Sequence, residues 1–175
     1  MNEPPIDVEK GHRWFAIEWN NAAWDALEAD ELDDTAKWTA LHRGHASVAH
    51  WREAGNELNW VRGLCLLANI EAVFGAPSSA QRICELCEAK ARELDDLADW
   101  DHAFIANAAA RAAAAAWDEE QGRDHPDTAR VEQLQTQARQ CRTRAQQLGA
   151  AIADEEDRKY YQQWHERGAD HPAFR

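Results

Sequence analysis

A pattern of apolar residues in this sequence recurs after 40 residues. The matched positions are Trp60 with Trp100, Leu64 with Phe104, Cys65 with Ile105, Ala68 with Ala108, Ala49 with Ala89, and Glu53 with Glu93. A period of about 20 to 50 residues is typical of an array in which each unit buries its apolar face only against its neighbours. The repeat therefore restricts the fold to a stack of similar units.

The repeated units are predicted to be helical. The chain has only five prolines and eight glycines, and alanine, leucine, glutamate, glutamine and arginine dominate it. These residues favour helices, and no alternating run of β-branched residues predicts a strand. Paired helices at this period predict an all-α fold, a tetratricopeptide-like stack of antiparallel helical hairpins. The period is longer than the ~34 residues of the standard repeat, so we expect longer helices.

About seven helices follow from the apolar spacing and from the residues that end helices. Gly55, Gly75 and Gly149 each mark a helix end, since glycine accommodates the backbone there. We predict one domain, 1–175, with tails at 1–7 and 169–175, and a third helix that is central and buried because it is apolar nearly all round. The predicted helices are 8–29, from the acidic segment 30–34 to 54, 57–74, 78–94, from the acidic segment 95–99 to 117, 128–148 and 152–167. We expect the last of them to bury Tyr160, Tyr161 and Trp164.

The charge and the N-terminus exclude several classes of partner. A net charge of -13 opposes binding to nucleic acid, which depends on Lys and Arg, and opposes binding to anionic membrane surfaces. The acidic, proline-bearing N-terminus lacks the features of a secretory signal, and no stretch approaches the ~20 apolar residues of a membrane span. We therefore expect a cytoplasmic protein whose four cysteines are free thiols.

Polar residues within the apolar third helix identify the first candidate site. Arg62, Asn69 and Glu71 lie among apolar neighbours, and a buried charge must be paired to avoid a penalty of several kcal/mol. The repeat register brings Arg62 close to Asp101, so we predict an ion pair between successive hairpins. The functional alternative is that Arg62, Asp101, Asn107 and Arg111 line one concave face and hold a peptide or a carboxylate.

Three histidines on the second helix raise the possibility of a metal site. His42 and His45 are three residues apart and share a face, whereas His50 lies on another face. No Glu-x-x-His pair is present to build a carboxylate-bridged di-iron site. We expect these histidines to cap, to stack on Trp51 or to form hydrogen bonds within hairpin contacts, and a helical metal-binding protein or enzyme using His42 and His45 is the alternative function.

The nine tryptophans are more than one small core accommodates. We expect Trp60 and Trp100, which share a repeat position, to fix the interfaces between hairpins. The others cannot all face the same core, so some of them mark a homodimer contact or a ligand groove. They are Trp14, Trp19, Trp24 and Trp38.

Several segments also carry a resemblance to a known family. They are 45–51 (HASVAHW), 62–63 (RG), 72–75 (AVFG), 99–104 (DWDHAF), 110–112 (ARA) and 152–158 (IADEEDR), with Asn20 and Trp24 in the first helix. Together they resemble a widespread family of uncharacterised bacterial proteins with a tetratricopeptide-like fold. The resemblance implies that fold over nearly the whole chain and implies no activity. Leu64 and Cys65 depart from the Glu-Trp pair common in the family, and Asn107 stands where Glu is frequent.

The function that these patterns predict is a non-enzymatic interaction module that binds a protein or peptide partner. No catalytic motif is present, since acid–base chemistry needs two convergent titratable groups and the sequence shows no such pair. We predict no cofactor and no metal ligand. The candidate partner-binding residues are Arg62, Asp101, Asn107, Arg111, His50 and Trp51.

Overall fold

The computed structural model describes residues 7–175, which form an all-α stack of packed helices. Residues 1–6 of the predicted N-terminal tail lie outside the described residues. No β-strand occurs within 7–175, so the predicted fold class is confirmed. The helices are α1 (Val8–Glu28), α2 (Asp34–Ala54), α3 (Glu57–Phe74), α4 (Pro77–Ala91), α5 (Asp99–Gln121), α6 (Thr128–Ala150) and α7 (Glu155–Glu166), followed by a 3₁₀ helix, Pro172–Phe174.

Short polar side chains fix where most of the helices begin. In five helices the N-cap side chain accepts a hydrogen bond from a backbone N–H of the first turn. Such a bond satisfies a donor that the helix itself leaves unpaired. The helix α4 begins with Pro77 instead, which suits a first turn because the missing N–H would have no partner there. The five N-cap residues are Asp7, Asp33, Asn56, Asp127 and Asp154.

The helices pack as three successive hairpins and one final helix. The pairs α1/α2, α3/α4 and α5/α6 contact each other, and α7 packs on α5 and α6. The helix α3 contacts α1, α2, α4 and α5, and its residues 63–71 are all buried. The prediction of a central, buried third helix is therefore confirmed.

The two tryptophans at the same repeat position both lie at the edge of the main hydrophobic core. Trp60 and Trp100 both pack, partly buried, against the main hydrophobic core. An arginine guanidinium from the preceding part of the array covers each ring, Arg52 at 4.2 Å from the Trp60 centroid and Arg62 at 4.4 Å from the Trp100 centroid. The two indoles therefore share a place at the edge of the core, but their arginine partners, Arg52 from α2 and Arg62 from α3, do not follow the 40-residue repeat.

Some predicted details differ from the structure. The helix α5 continues past Trp117 to Gln121, whereas α4 ends at Ala91 rather than near 94. Tyr160, which the helical pattern placed in the core, is 49% exposed, although its neighbour Tyr161 is buried. Within the predicted C-terminal tail, the 3₁₀ helix buries Ala173 and packs on α5 and α6.

The tryptophans of the first hairpin divide between core and surface, as their number predicted. Trp24 packs against the core, whereas Trp14 and Trp38 are 56% and 63% exposed. Trp24 also contacts the last helix, with its ring centroid 5.0 Å from that of Trp164. The array is therefore closed by a direct contact between α1 and α7. None of the helices described is long and apolar enough to cross a membrane.

Candidate functional site

The alternate helices α1, α3, α5 and α7 together line a pocket of about 290 Å³. Each of the three hairpins contributes its first helix, and the contact between α1 and α7 brings the two ends of the array to the same place. The lining residues are Asn20, Trp24, Val61, Arg62, Cys65, Trp100, Asp101, Phe104, Ile105, Asp157 and Tyr160.

Aromatic rings form much of the wall of this pocket. The buried ring of Phe104 meets Trp24 and Trp100 edge to face, with centroids 5.9 Å and 6.2 Å away. Tyr160 lies 6.2 Å from Phe104 at a tilt of 33°. Edge-to-face contacts hold aromatic rings in defined orientations, so the wall is a preformed surface.

The polar anchor of the pocket is the ion pair between Arg62 and Asp101. Arg62 Nε donates to Asp101 Oδ1 and Arg62 Nη2 donates to Asp101 Oδ2, both at 2.9 Å. Asp101 is 3% exposed, and its Oδ2 also accepts from the backbone N–H of Ala98 at 3.0 Å. The predicted pair is confirmed. Its bidentate geometry fixes the guanidinium plane, which also lies over the Trp100 ring.

The edge of the pocket on the α7 side carries a tyrosine and a free carboxylate. Tyr160 Oη donates to Glu28 Oε1 at 2.7 Å and so joins α7 to α1. Burial and this hydrogen bond raise the pKa of Tyr160 to about 12, so the hydroxyl stays protonated at neutral pH. Asp157 takes part in no salt bridge among residues 7–175.

Asn107 and Arg111 lie apart from this pocket. Asn107 is fully buried, its Nδ2 is 2.8 Å from His165 Nδ1, and its Oδ1 accepts from Arg111 Nε at 3.0 Å. Arg111 also donates to the carbonyl oxygens of Trp164 and Arg167, at 3.1 Å and 3.2 Å. It lines a separate cavity of about 190 Å³.

The four residues expected on one face are therefore divided between two places. Arg62 and Asp101 line the pocket, whereas Asn107 and Arg111 hold the C-terminal end of α7. The physical reason is that α7 covers α5 at this point and uses these polar groups as its own hydrogen-bond partners. Burial, followed by repulsion from Arg142 and Arg167, lowers the pKa of Arg111 to about 10.

His50 and Trp51 lie in the interface of the first hairpins. His50 Nδ1 is 2.8 Å from His12 Nδ1, and the His50 ring packs near Phe15 and Trp19. Burial and the neighbouring His12 lower the pKa of His50. A Cβ added at Gly63 would lie 3.3 Å from Trp51 Cδ1, so this indole packs on α3. Neither residue lines the pocket.

The other two histidines of α2 are placed on its exposed side. His45 Nε2 is 2.7 Å from Glu71 Oε1, and Glu71 Oε2 accepts from the backbone N–H of Ala76 at 3.0 Å. His42 lies beside the exposed Trp38, with ring centroids 6.2 Å apart. No group of three or more His, Cys, Asp and Glu side chains arranged to hold a metal ion occurs in the described part of the chain.

The sequence-based choice of site contains only Arg62 and Asp101 of the eleven lining residues, and the missed ones include three hydrogen-bonding side chains from the two ends of the array. Asn20, Asp157 and Tyr160 come from the first and last helices, which do not belong to the matched repeat. No local pattern marks them as a group, because only the contact between α1 and α7 brings them together. Asn20 and Asp157 do occur within the segments that carry the family resemblance, which was the one available signal.

Comparisons of this chain with known protein families, with curated proteins and with solved structures find no match.

Proposed function

We propose that this protein is a non-enzymatic, tetratricopeptide-like interaction module that binds a segment of a protein or peptide partner in the pocket between α1, α3, α5 and α7. The observation that carries the proposal is the pocket itself, in which aromatic walls and a fixed ion pair surround about 290 Å³ of open space. Helical arrays bind partners on the surface that their successive units share. Tryptophan, tyrosine and arginine are also the residues that contribute most to binding sites.

The chemistry of the lining residues favours binding over catalysis. The Asp101 carboxylate is occupied by Arg62 and by a backbone donor. A hydrogen bond with Cys87 and burial keep the pKa of Cys65 well above its usual range, and Tyr160 is also protonated at neutral pH. General acid–base catalysis requires a group whose pKa lies near the working pH, and neither Cys65 nor Tyr160 meets that requirement.

The setting of this function is proposed to be the bacterial cytoplasm, with a protein rather than nucleic acid as the partner. The net charge of -13 supports this choice, because phosphate backbones are attracted by basic surfaces. The family resemblance of segments such as 99–104 and 152–158 supports the tetratricopeptide-like fold and a bacterial source.

The test is to select peptides that bind and to ask where they bind. A random dodecapeptide library is displayed on phage and selected against the purified wild-type protein. Peptides that bind are then measured by fluorescence anisotropy against Ile105→Phe, which fills the pocket, and Tyr160→Ala, which removes part of its wall. We expect each variant to weaken binding by about tenfold, the effect of losing ~1.4 kcal/mol of contact.

Two matched controls separate the pocket from the rest of the surface. Ile17→Phe repeats the first substitution on an exposed part of α1, and Lys159→Ala truncates the exposed neighbour of Tyr160. Both controls should bind the selected peptides as the wild type does. If no peptide is enriched, or if the pocket variants bind as well as the controls, the proposed function is wrong. Circular dichroism verifies that all four variants are folded.

A further inference from the structure

We propose that the side chain entering this pocket is cationic, an arginine or a lysine from a basic segment of the partner. This inference rests on the proposed function and adds the chemical class of the occupant. It depends on three features of the pocket, namely its aromatic faces, its uncompensated negative charge and its size.

The aromatic wall is a surface that attracts cations. The faces of tryptophan, tyrosine and phenylalanine carry negative electrostatic potential, and a guanidinium or ammonium group within ~6 Å of a ring centroid is stabilised by it. Trp24, Phe104 and Tyr160 line the pocket. The protein already uses this contact on the fourth ring, where the Arg62 guanidinium lies 4.4 Å from the Trp100 centroid. The remaining rings offer the same contact to a cation from outside.

The charges that line the pocket sum to a negative value. Only Arg62, Asp101 and Asp157 carry a formal charge among the lining residues. The first two neutralise each other in their bidentate pair, which leaves the Asp157 carboxylate without an ion-pair partner among residues 7–175. Its own backbone N–H donates to Asp154 Oδ1 at 3.0 Å, so the helix start does not use this carboxylate as a cap. Asp157 is exposed, so its carboxylate is open to an incoming cation.

The surroundings of the pocket strengthen this preference. Glu28 reaches the edge through its hydrogen bond with Tyr160, and Glu155 and Glu156 precede Asp157 in the first turn of α7. A field of one sign steers a ligand of the opposite sign and repels ligands of the same sign. An acidic peptide would face this carboxylate-rich edge on a chain of net charge -13, so an anionic occupant is disfavoured.

The size of the pocket fits one long side chain. Pockets for drug-sized ligands typically measure about 300 to 1,000 Å³, and this pocket is at the lower limit with about 290 Å³. Arginine and lysine bury an apolar stem while the charged group reaches polar partners. Val61 and Ile105 can contact the stem, and Asp157, with the amide oxygen of Asn20, can accept hydrogen bonds from the charged group.

The experiment compares three synthetic heptapeptides of sequence acetyl-Ala-Ala-Leu-X-Leu-Ala-Ala-amide, in which X is arginine, citrulline or glutamate. Citrulline has nearly the shape of arginine but no charge. Binding to the full chain is followed by NMR from the indole N–H signals of Trp24 and Trp100. We expect the arginine peptide to bind about tenfold more tightly than the other two, a difference of ~1.4 kcal/mol.

Two variants of equal net charge test the role of Asp157. Asp157→Asn should weaken binding of the arginine peptide several-fold and leave the citrulline peptide unchanged. Glu119→Gln removes an exposed carboxylate of α5 that does not line the pocket, and it should bind all three peptides as the wild type does. If both variants lose affinity for the arginine peptide equally, the preference reflects only the overall negative charge of the protein, and the role assigned to Asp157 is wrong.

Other outcomes separate this inference from the proposed function. If the three peptides bind equally and Ile105→Phe abolishes their binding, the pocket binds peptides but has no preference for cations, so only this inference is wrong. If the arginine peptide binds equally well to Ile105→Phe, its side chain does not enter the pocket, which also overturns the inference. A concentration of about 5 mM arginine peptide detects millimolar affinity. If neither indole signal shifts at this concentration, the inference is also overturned.

Discussion

At the scale of single residues, two arginines show two ways in which a partly buried guanidinium group finds hydrogen-bond partners. Arg62 has a carboxylate partner in Asp101, whereas Arg111 is held by the amide oxygen of Asn107 and by two backbone carbonyls at the end of α7. The C-terminal end of a helix carries partial negative charge, and the Trp164 ring lies 4.0 Å from the Arg111 guanidinium. Arg111 thus fastens α7 to α5 without an ion pair.

The histidine beside Arg111 should make stability depend on pH. Burial, followed by the charges of Arg142 and Arg111, lowers the pKa of His165 to about 4 from the ordinary value of 6.5. The His165 imidazole therefore binds a proton more readily in the unfolded chain than in the folded one. The stability contributed by neutral His165 is complete above about pH 6.5 and is lost as the pH falls towards about 4.

His165→Asn tests this prediction, because its amide oxygen can replace the Nδ1 atom that faces Asn107. The free energy of unfolding is measured by urea denaturation from pH 4 to pH 7.5, conditions that span the titration of a histidine. We expect the variant to lose less stability than the wild type on acidification. His125→Asn, in the exposed loop before α6, is the control and should follow the wild type. Parallel curves for wild type and His165→Asn would contradict the assignment.

The sequence predicted a contact where a charged residue within an apolar helix requires a partner of opposite charge. Arg62 lies in an apolar helix and needs a carboxylate, and the repeat register pointed to Asp101. The same argument did not predict the partners of Arg111, because they are backbone carbonyls of a helix whose position depends on the whole fold. Tyr160 was expected in the core because helical spacing does not distinguish a buried side chain from one at the edge of a pocket.

At the scale of helices, α7 packs a tyrosine ring directly against a glycine of α6. Tyr161 lies on Gly149 of α6, and its hydroxyl donates to the carbonyl oxygens of Ala145 at 2.9 Å and of Ala103 at 3.2 Å. The buried Tyr161 thereby connects α5, α6 and α7. The absence of a side chain at Gly149 is what allows the ring to lie there.

Gly149→Ala should therefore destabilise the protein. A Cβ at this position would collide with ring carbons of the buried Tyr161, which has no free space to move into. Overpacking of this kind costs about 1 to 3 kcal/mol, which exceeds the ~1 kcal/mol that alanine gains over glycine within a helix. The expected fall in the melting temperature is a few degrees, since ~1 kcal/mol shifts a domain of this size by roughly 2 to 4 °C.

Gly122→Ala is the matched control for this substitution. Gly122 ends α5 with φ of -79°, and the nearest atom to an added Cβ is Asp118 O at 3.3 Å, so alanine is tolerated there with little adjustment. Thermal unfolding followed by far-UV circular dichroism measures both variants. A Gly149→Ala variant that melts at or above the temperature of Gly122→Ala would show that Tyr161 does not restrict this position.

Helix boundaries were predicted well where glycine, proline or a capping residue determines them. Gly55 and Gly75 follow the ends of α2 and α3 as expected. The prediction that Gly149 ends a helix is wrong, because α6 continues through it to Ala150. The end of α5 was predicted too early because its last turn is polar and was interpreted as a loop. In the structure Glu120 is 5% exposed, accepts from the backbone N–H of Asp127 at 3.0 Å and pairs with Arg123 at 2.7 Å. These contacts between the last turn and the loop that follows it stabilise the end of the helix.

At the scale of the whole molecule, one hydrophobic core joins most of the array. Its buried members come from α1 to α5, from α7 and from Ile152 in the preceding loop, with Leu148 of α6 packed against it. In an open array each unit contacts only its neighbours, so stability is a sum of local terms. Here Trp24 and Trp164 connect the first helix with the last, which couples units that are distant in the chain.

This coupling predicts a single cooperative unfolding transition. Urea denaturation should give the same midpoint by far-UV circular dichroism, which follows helices, and by tryptophan fluorescence, which follows packing. Trp164→Ala should lower both midpoints together, because it removes the contact with Trp24 and a buried ring worth about 3 to 5 kcal/mol. Glu166→Ala, an exposed position on the same helix, serves as the control and should leave them unchanged. Separate midpoints for the two signals would show that the hairpins unfold independently.

The contact between Trp24 and Trp164 also limits the number of hairpins that this fold can contain. Open solenoids change in length by duplication or loss of a unit, because a new unit only needs to resemble its neighbours. In this molecule an additional hairpin would move the two indoles apart and open the pocket between them, and a deletion would make the terminal helices collide. Copy number is therefore part of the geometry of the pocket, and variation in such a protein is expected to proceed by substitution within a constant number of units.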